Sequence, residues 1–308
     1  MNSSVRQWKR TASLIVGKGG TGISITGNRL SFEINKTVDP IPNTAVIRVY
    51  NLTPENELRI RDEFNDLILN GGYVDSPKLI FRGSIMYVSR YRDGVDRIVE
   101  IQAGDGDRDY HKATVQATLA AGTKNSQIID RVLGSFTDTI RGAINIPEVA
   151  RLRGKVISGN SRDILDALAV QTGSHWSIQD GALQVISAAD VKPGIAIVVN
   201  SETGMLGAPE RNDKGIAVKT LLNPEIQING AVKLDNNRIR KKVETAKALA
   251  TPREKLEKSS ASQVPVRLDP DGIYKVIRVK HTGDTRGNEW TTEAECIGLG
   301  QPIPEART

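Results

Sequence analysis

The chain has 308 residues, 38% of them hydrophobic and 25% charged, and its 42 basic residues against 36 acidic ones leave a formal net charge of +6. This is a globular composition, which excludes a wholly disordered, collagen-like or mucin-like chain. The mild basic excess does not by itself require nucleic acid, and an aromatic content of 4% argues against base- or sugar-stacking clefts.

The N-terminus places Arg6, Lys9 and Arg10 before Leu14-Ile15-Val16. That apolar run is too short for a signal-peptide core, and no run approaches the roughly 20 residues of a membrane span. The expectation is a cytosolic product without lipid anchor or stable membrane insertion. Gly17-Lys18-Gly19-Gly20-Thr21-Gly22 fits GxGxxG and resembles a phosphate-binding loop. Phosphate binding needs a helix after such a loop, with its N-terminus aimed at the anion. Here Ile23-Ser24-Ile25 alternates like a strand, so a glycine turn between two strands is expected.

Leu30, Phe32 and Ile34 alternate with Ser31, Glu33 and Asn35, the period of a half-buried strand. Residues 45–52 form a second, β-branched strand. Thr53-Pro54-Glu55 opens a helix, with Thr53 as cap and Pro54 in the first turn. Leu58, Phe64, Leu67 and Ile68 are its expected buried stripe, and Gly71-Gly72 its stop. Residues 78–91 and 96–103 read as long strands joined at Asp93-Gly94, a hairpin signal. Four long strands with one short helix suggest a small antiparallel barrel or sandwich.

After Gly104-Asp105-Gly106-Asp107 the pattern changes. Asp105, Asp107 and Asp109 resemble half of a calcium loop. The closing glutamate is absent, since Gln116 stands there, so a strand end and inter-domain turn is the expectation. Residues 125–136 have helical spacing. Residues 161–172 give the clearest helix, capped by Ser161 and ended by Gly173. A hairpin follows, Trp176-Ser177-Ile178 turning at Asp180-Gly181 into Leu183-Gln184-Val185-Ile186. Strands are expected again over 215–222, 231–234, 272–281 and 289–297. The polar stretch 236–265, with Arg238, Arg240, Lys241 and Lys242, reads as a solvated, partly helical insertion. The organisation is therefore 1–107 β, 108–187 α/β and 188–308 β.

No chemistry emerges from these residues. Cys296, the one cysteine, lies in an expected strand and reads as a small buried hydrophobe rather than a nucleophile. His111, His175 and His281 are far apart and lack metal-ligand spacing, and no G-x-S-x-G is present. No enzyme activity, cofactor or metal is expected.

Three stretches taken together carry a resemblance. They are Asn43-Thr44-Ala45-Val46-Ile47-Arg48-Val49-Tyr50-Asn51-Leu52-Thr53-Pro54-Glu55 with Phe81-Arg82-Gly83-Ser84-Ile85, Arg162-Asp163-Ile164-Leu165-Asp166-Ala167-Leu168 with the hairpin 176–185, and Gly272-Ile273-Tyr274-Lys275-Val276 with His281-Thr282-Gly283-Asp284-Thr285-Arg286-Gly287-Asn288-Glu289-Trp290. In this order they resemble baseplate hub proteins of tailed bacteriophages. The resemblance implies a mostly β, α+β chain with two tube-like antiparallel β-barrel domains and a small α/β domain between them. It implies a homotrimer whose ring adapts a sixfold tail tube to a threefold spike and lets DNA pass. The implied partners are the tail tube protein, the spike protein, the tape-measure protein and other baseplate proteins, and the implied location is the virion. Asp284, Arg286 and Trp290 are then expected in a rigid structural turn, with Asp284 and Arg286 pairing across it. Arg238, Arg240, Lys241 and Lys242 are expected in a partner-docking arm. The alternatives are a non-contractile tail-tip hub, a tail-associated cell-wall hydrolase, for which the chain shows no spare length, and a nucleic-acid-binding protein.

Overall fold

A computed structural model describes residues 9–74, 77–212, 215–235, 240–241 and 272–301. The first region begins with a hairpin, β1 (Arg10–Lys18) and β2 (Thr21–Ile25). Its turn residues Gly19 and Gly20 have φ of +57° and +87°, a conformation that side chains with a Cβ disfavour and that tight hairpins need. The GxGxxG stretch is thus a strand turn with a second strand behind it. Strands β3 (Leu30–Thr37) and β4 (Thr44–Tyr50) follow, each with alternating burial.

Helix α1 (Pro54–Asp62) starts as expected, with the Thr53 hydroxyl accepting the Asn56 N–H. It ends sooner than expected. Leu67 and Ile68 belong to strand β5 (Asp66–Tyr73), and Leu58 is an exposed residue. The period over Leu67, Leu69, Gly71 and Tyr73 is two, and these four are buried. Gly71 is no helix stop: a Cβ there would meet the Ile80 side chain at 2.6 Å, so the glycine permits close strand packing. Strands β6 (Lys78–Asp93) and β7 (Asp96–Gly104) form the long hairpin through Asp93-Gly94.

The middle region comprises α2 (Asp107–Lys112), β8 (Thr114–Leu119), α3 (Asn125–Leu133), β9 (Ile140–Asn145), β10 (Lys155–Asn160), α4 (Ser161–Thr172), β11 (Ser174–Gln179) and β12 (Ala182–Ser187). Helix α4 has the expected limits, with Gly173 left-handed at its end, but its N-cap is Asn160. Ser161 is buried instead, its N–H bonded to Ala113 O and its hydroxyl 2.7 Å from that of Ser135.

The last region holds β13 (Ile197–Val198), β14 (Glu210–Asn212), β15 (Gly215–Leu221), β16 (Ala231–Lys233), β17 (Arg240–Lys241), β18 (Ile273–Asp284) and β19 (Trp290–Gly298). Of the insertion at 236–265, only the short strand β17 is described. It pairs in parallel with β14, so Arg240 and Lys241 extend a sheet, and Arg238 and Lys242 lie outside the described residues.

The two outer regions share one sheet, in the order β17-β14-β15-β19-β18-β3-β4-β7-β6-β5-β1-β2, with β16 and β13 branching from β18. Among the described residues this path is open at β2 and β17. The decisive link is β18 to β3, antiparallel over seven residue pairs from Arg278↔Thr37 to Asp284↔Ser31. Among the described residues there are three buried apolar clusters. One is built on β1–β7, one on β15, β16, β18 and β19, and one on α3, α4 and β8–β12. The cluster of the first region also takes in Leu222 and Trp290 from the last. No helix among the described residues is long and apolar enough to cross a membrane.

Candidate functional site

The β18–β19 turn docks onto the loop between β2 and β3. The pairing expected across it takes another form. Asp284 binds Arg29, with Arg29 Nη2 to Asp284 Oδ2 at 2.7 Å and Nε to both oxygens at 3.2 Å. Asp284 Oδ1 also accepts the N–H of Arg286 and of Gly287, each at 2.9 Å. Arg286 supplies its backbone to that carboxylate and sends its guanidinium to Gly27 O at 3.1 Å. Thr285 and Leu30 exchange two further bonds, and Arg10 Nη1 reaches Gly287 O at 2.7 Å. Burial opposes the charge on Asp284, but the Arg29 contact and the two N–H groups outweigh it and hold the carboxyl below its ordinary value. Gly283 is required by proximity, since a Cβ there would lie 2.3 Å from the Phe32 ring. Trp290 is fully buried, edge-on to Phe32 at 5.6 Å.

Asp284→Ala is expected to cost about 1–3 kcal/mol, because it strands two turn N–H groups and the Arg29 guanidinium together. Arg286→Ala removes one exposed bond and is expected to stay within about 0.5 kcal/mol of the parent. Thermal denaturation of the two variants side by side checks the order.

A second constellation sits where the β11–β12 hairpin meets both outer regions. At its tip, Asp105 accepts the N–H groups of Asp180 and Gly181, and Lys36 Nζ binds the Asp180 carboxylate at 2.6 and 2.8 Å. Asn43 donates to Ile178 O at 2.9 Å and to Gln179 Oε1 at 3.0 Å. Gln179 donates in turn to Thr37 O at 2.8 Å. At the other end, the buried Lys275 donates to Ser187 O at 3.0 Å and Asn229 to Gln184 at 3.3 Å. The hairpin is therefore pinned to β3 on one side and to β18 on the other, the two strands that join the outer regions. Burial, and then the Asp180 charge, push Asp105 up to about 6. Burial pulls Lys275 down to about 8, against the attraction of Asp190.

The remaining singled-out residues are structural in their surroundings. Asp109 is buried and accepts four bonds, from Thr137 N and Oγ1, Asp138 N and Thr139 N. Those bonds outweigh burial and hold its carboxyl below the ordinary range. The Asp105–Asp109 run thus anchors turns on both sides of the region boundary. Cys296 is fully buried, and burial with the nearby Glu295 charge raises its thiol to about 12, far from a reactive thiolate. His281 bonds Thr292 Oγ1 through Nδ1 at 2.9 Å, and burial, helped by Lys36, lowers it to about 3. No cluster of metal-ligating residues occurs among the described residues. A cleft of about 640 Å³ lies over β3, β18, β19 and β15 between walls at Ile41-Pro42 and Leu206-Gly207-Ala208. Among its charges, Lys280 pairs with Glu33, Lys219 with Glu293 and Arg278 with Glu295.

Sequence reasoning missed Arg29, Lys36, Asn43, Asp180 and Lys275, which hold these junctions. Only the Asp180-Gly181 turn signal marked one of them in advance.

A family profile described as "Baseplate hub gp41" matches residues 23–238. No curated protein sequence matches the chain. Among solved structures, the tail protein from Neisseria meningitidis MC58 is 9% identical with a TM-score of 0.58, covering 95% of this chain and 98% of that one. The 43 kDa tail protein of prophage MuSo2 from Shewanella oneidensis is 10% identical with a TM-score of 0.56, covering 92% and 97%. The E. coli c3393 protein, described as a component of the type VI secretion system with structural similarity to T4 bacteriophage tail proteins gp27 and gp5, is 10% identical with a TM-score of 0.54, covering 94% and 80%. At these identities the likeness is one of fold.

Proposed function

The chain belongs to the baseplate hub gp41 family, a structural component of a phage tail or phage-like system, and on that premise we propose that it works as a ring-forming adaptor. Three copies close a ring in which the two outer β regions of each chain act as two tube-like barrel domains and present six similar units to a sixfold tail tube. The threefold spike docks on the opposite side, and DNA passes through the centre on infection. Tape-measure and other baseplate proteins are the further partners. The chain carries no catalysis of its own, and its place is the virion.

The observation that carries this reading is the β18–β3 pairing. Two β regions, each with its own apolar cluster, are fused edge to edge into one sheet. That holds two β regions of each chain in a fixed relation, and the reading takes them as the two tube-like units. The open ends of the path then pair or pack between copies, since an exposed strand edge seeks a partner. In the adaptor reading, the residues 188–308 form the second tube-like domain and 108–187 the α/β domain pinned across the fusion.

Mass photometry of the purified chain is expected to show a species near three times its 33.5 kDa mass. A stable monomer at micromolar concentration, with no ring in assembled tails, overturns the reading.

A further inference from the structure

Elements of all three regions' joint meet at Asp105, between the end of β7 and the start of α2, and its side chain is closed to solvent. Gly106 helps to close it. A Cβ there would lie 2.5 Å from the Ile178 side chain, so the glycine lets the β11–β12 hairpin seat directly on the strand end. Asp180, at the hairpin's tip, brings a second carboxylate. Lys36 on β3, itself only 7% exposed, gives both of its short contacts, 2.6 and 2.8 Å, to Asp180. Asp105 is held by neutral donors instead: the N–H groups of Asp180 and Gly181 and, at 3.4 Å, Asn43 Nδ2. The charges on α2 are engaged elsewhere, Asp107 with His111, Arg108 with Asp66 and Asp138, and Asp109 with residues 137–139. On β6, the Arg82 N–H donates to Asp180 at 3.3 Å, and its side chain comes within 3.5 Å of where a Gly181 Cβ would lie. His281 on β18, which feels the Lys36 charge, is neutral above about pH 3. Two carboxylates thus face one buried lysine, and that lysine is committed to the other carboxylate.

We propose that Asp105 is a proton-operated latch: it takes up a proton in mild acid while staying inside, and the hairpin of the middle region then holds more tightly to the sheet that joins the outer regions. The inference does not depend on the ring. Burial disfavours a charged carboxyl, and the like charge of Asp180 adds to it. The two N–H groups and Lys36 oppose these effects, and the balance leaves Asp105 at about 6. In an opened joint the side chain meets water and returns to about 3.9. A carboxyl that holds its proton more tightly closed than open favours the closed joint as pH falls through the higher value. Between about pH 7.5 and about pH 5 the closed joint gains by about tenfold. The protonated group keeps acceptor capacity for the hairpin N–H groups and gains a donor. Asp109 responds in the opposite sense, since its bonds hold its carboxyl below the ordinary value.

Hydrogen–deuterium exchange of the full chain, followed by mass spectrometry on a peptide spanning Asp180 and Gly181, reads the latch, because both N–H groups donate to Asp105. After correction for the intrinsic effect of pH on exchange, their protection is expected to be about tenfold higher at about pH 5 than at about pH 7.5. Asp105→Asn has no proton to take up there and is expected to lose this dependence. Two further variants move the midpoint in opposite senses. Asp180→Asn removes the like charge and frees Lys36 for Asp105, so the midpoint falls; asparagine suits the left-handed φ of +55° at this position. Lys36→Gln removes the cation, so the midpoint rises. Protection that is flat with pH in the parent, a dependence that persists in Asp105→Asn, or midpoints that do not move apart overturns the proposal. Should Asp105→Asn fail to fold, the opposed midpoints of the other two variants decide it.

Discussion

Trp290→Ala is expected to destabilise the folded chain by about 3–5 kcal/mol, the range for truncating a buried large aromatic side chain. Trp290 opens β19, in the last region, yet it packs in the cluster of the first. Its ring is fully buried, meets Phe32 edge-on at 66°, and lies beneath the Arg10 guanidinium at 5.7 Å. The cavity would therefore open beside the β18–β3 seam, where the shared sheet has few ways to collapse around it. Trp290→Phe is expected to recover much of the loss. The indole Nε1 has no hydrogen-bond partner among the described residues, so the phenyl ring forfeits volume and no bond. Guanidinium denaturation midpoints of the two variants check this. A cost below about 1 kcal/mol for the alanine form would mean that the seam repacks.

Asp109→Ala is expected to cost about 3 kcal/mol or more. The carboxylate gathers the N–H groups of three consecutive residues, Thr137, Asp138 and Thr139, and one hydroxyl. Alanine leaves them without an acceptor in a site that is almost closed to water, where each stranded donor carries its full desolvation penalty. Asp109→Asn retains one acceptor oxygen and should fall between parent and alanine. Because the native carboxyl titrates below its ordinary value, its contribution is present above the unfolded-state pKa and fades as pH falls through the folded one. The gap between parent and Asp109→Ala, read by thermal denaturation, should accordingly shrink in strong acid. A gap that is constant with pH would place the stabilisation elsewhere.

The strands that were legible in advance share one property: burial on one face only. In β3 and β4 every second residue is apolar and packs on the cluster of the first region. Helix α4 announced itself through its stripe Leu165, Leu168 and Ala169 and through Gly173. Strand β5 was obscured because Gly71-Gly72 reads as a helix stop, whereas its cause is the Ile80 side chain pressing from β6. The turn at Asp284 was legible as a turn and not in its partners. Two backbone N–H groups within three residues already belong to that carboxylate, and its charge partner Arg29 lies 255 residues away.

The sequence by itself determined that this is a mostly β chain with an α/β segment in its middle, that the glycine-rich hairpin leads into a strand rather than a phosphate-binding helix, and that the order of its segments resembles a baseplate hub. The first two rest on periods and turn residues within about a dozen positions, where local sterics and one-sided burial set the conformation, while the resemblance rests on three long stretches taken in order. The tertiary structure alone decided that the two β regions fuse through β18 and β3 and that Trp290 completes the first region's core. Those features depend on strand partners more than 200 residues apart, as in Ser31↔Asp284. Many β-branched runs could pair with one another, and the choice among them is made by which arrangement buries every apolar face and matches every charge at once.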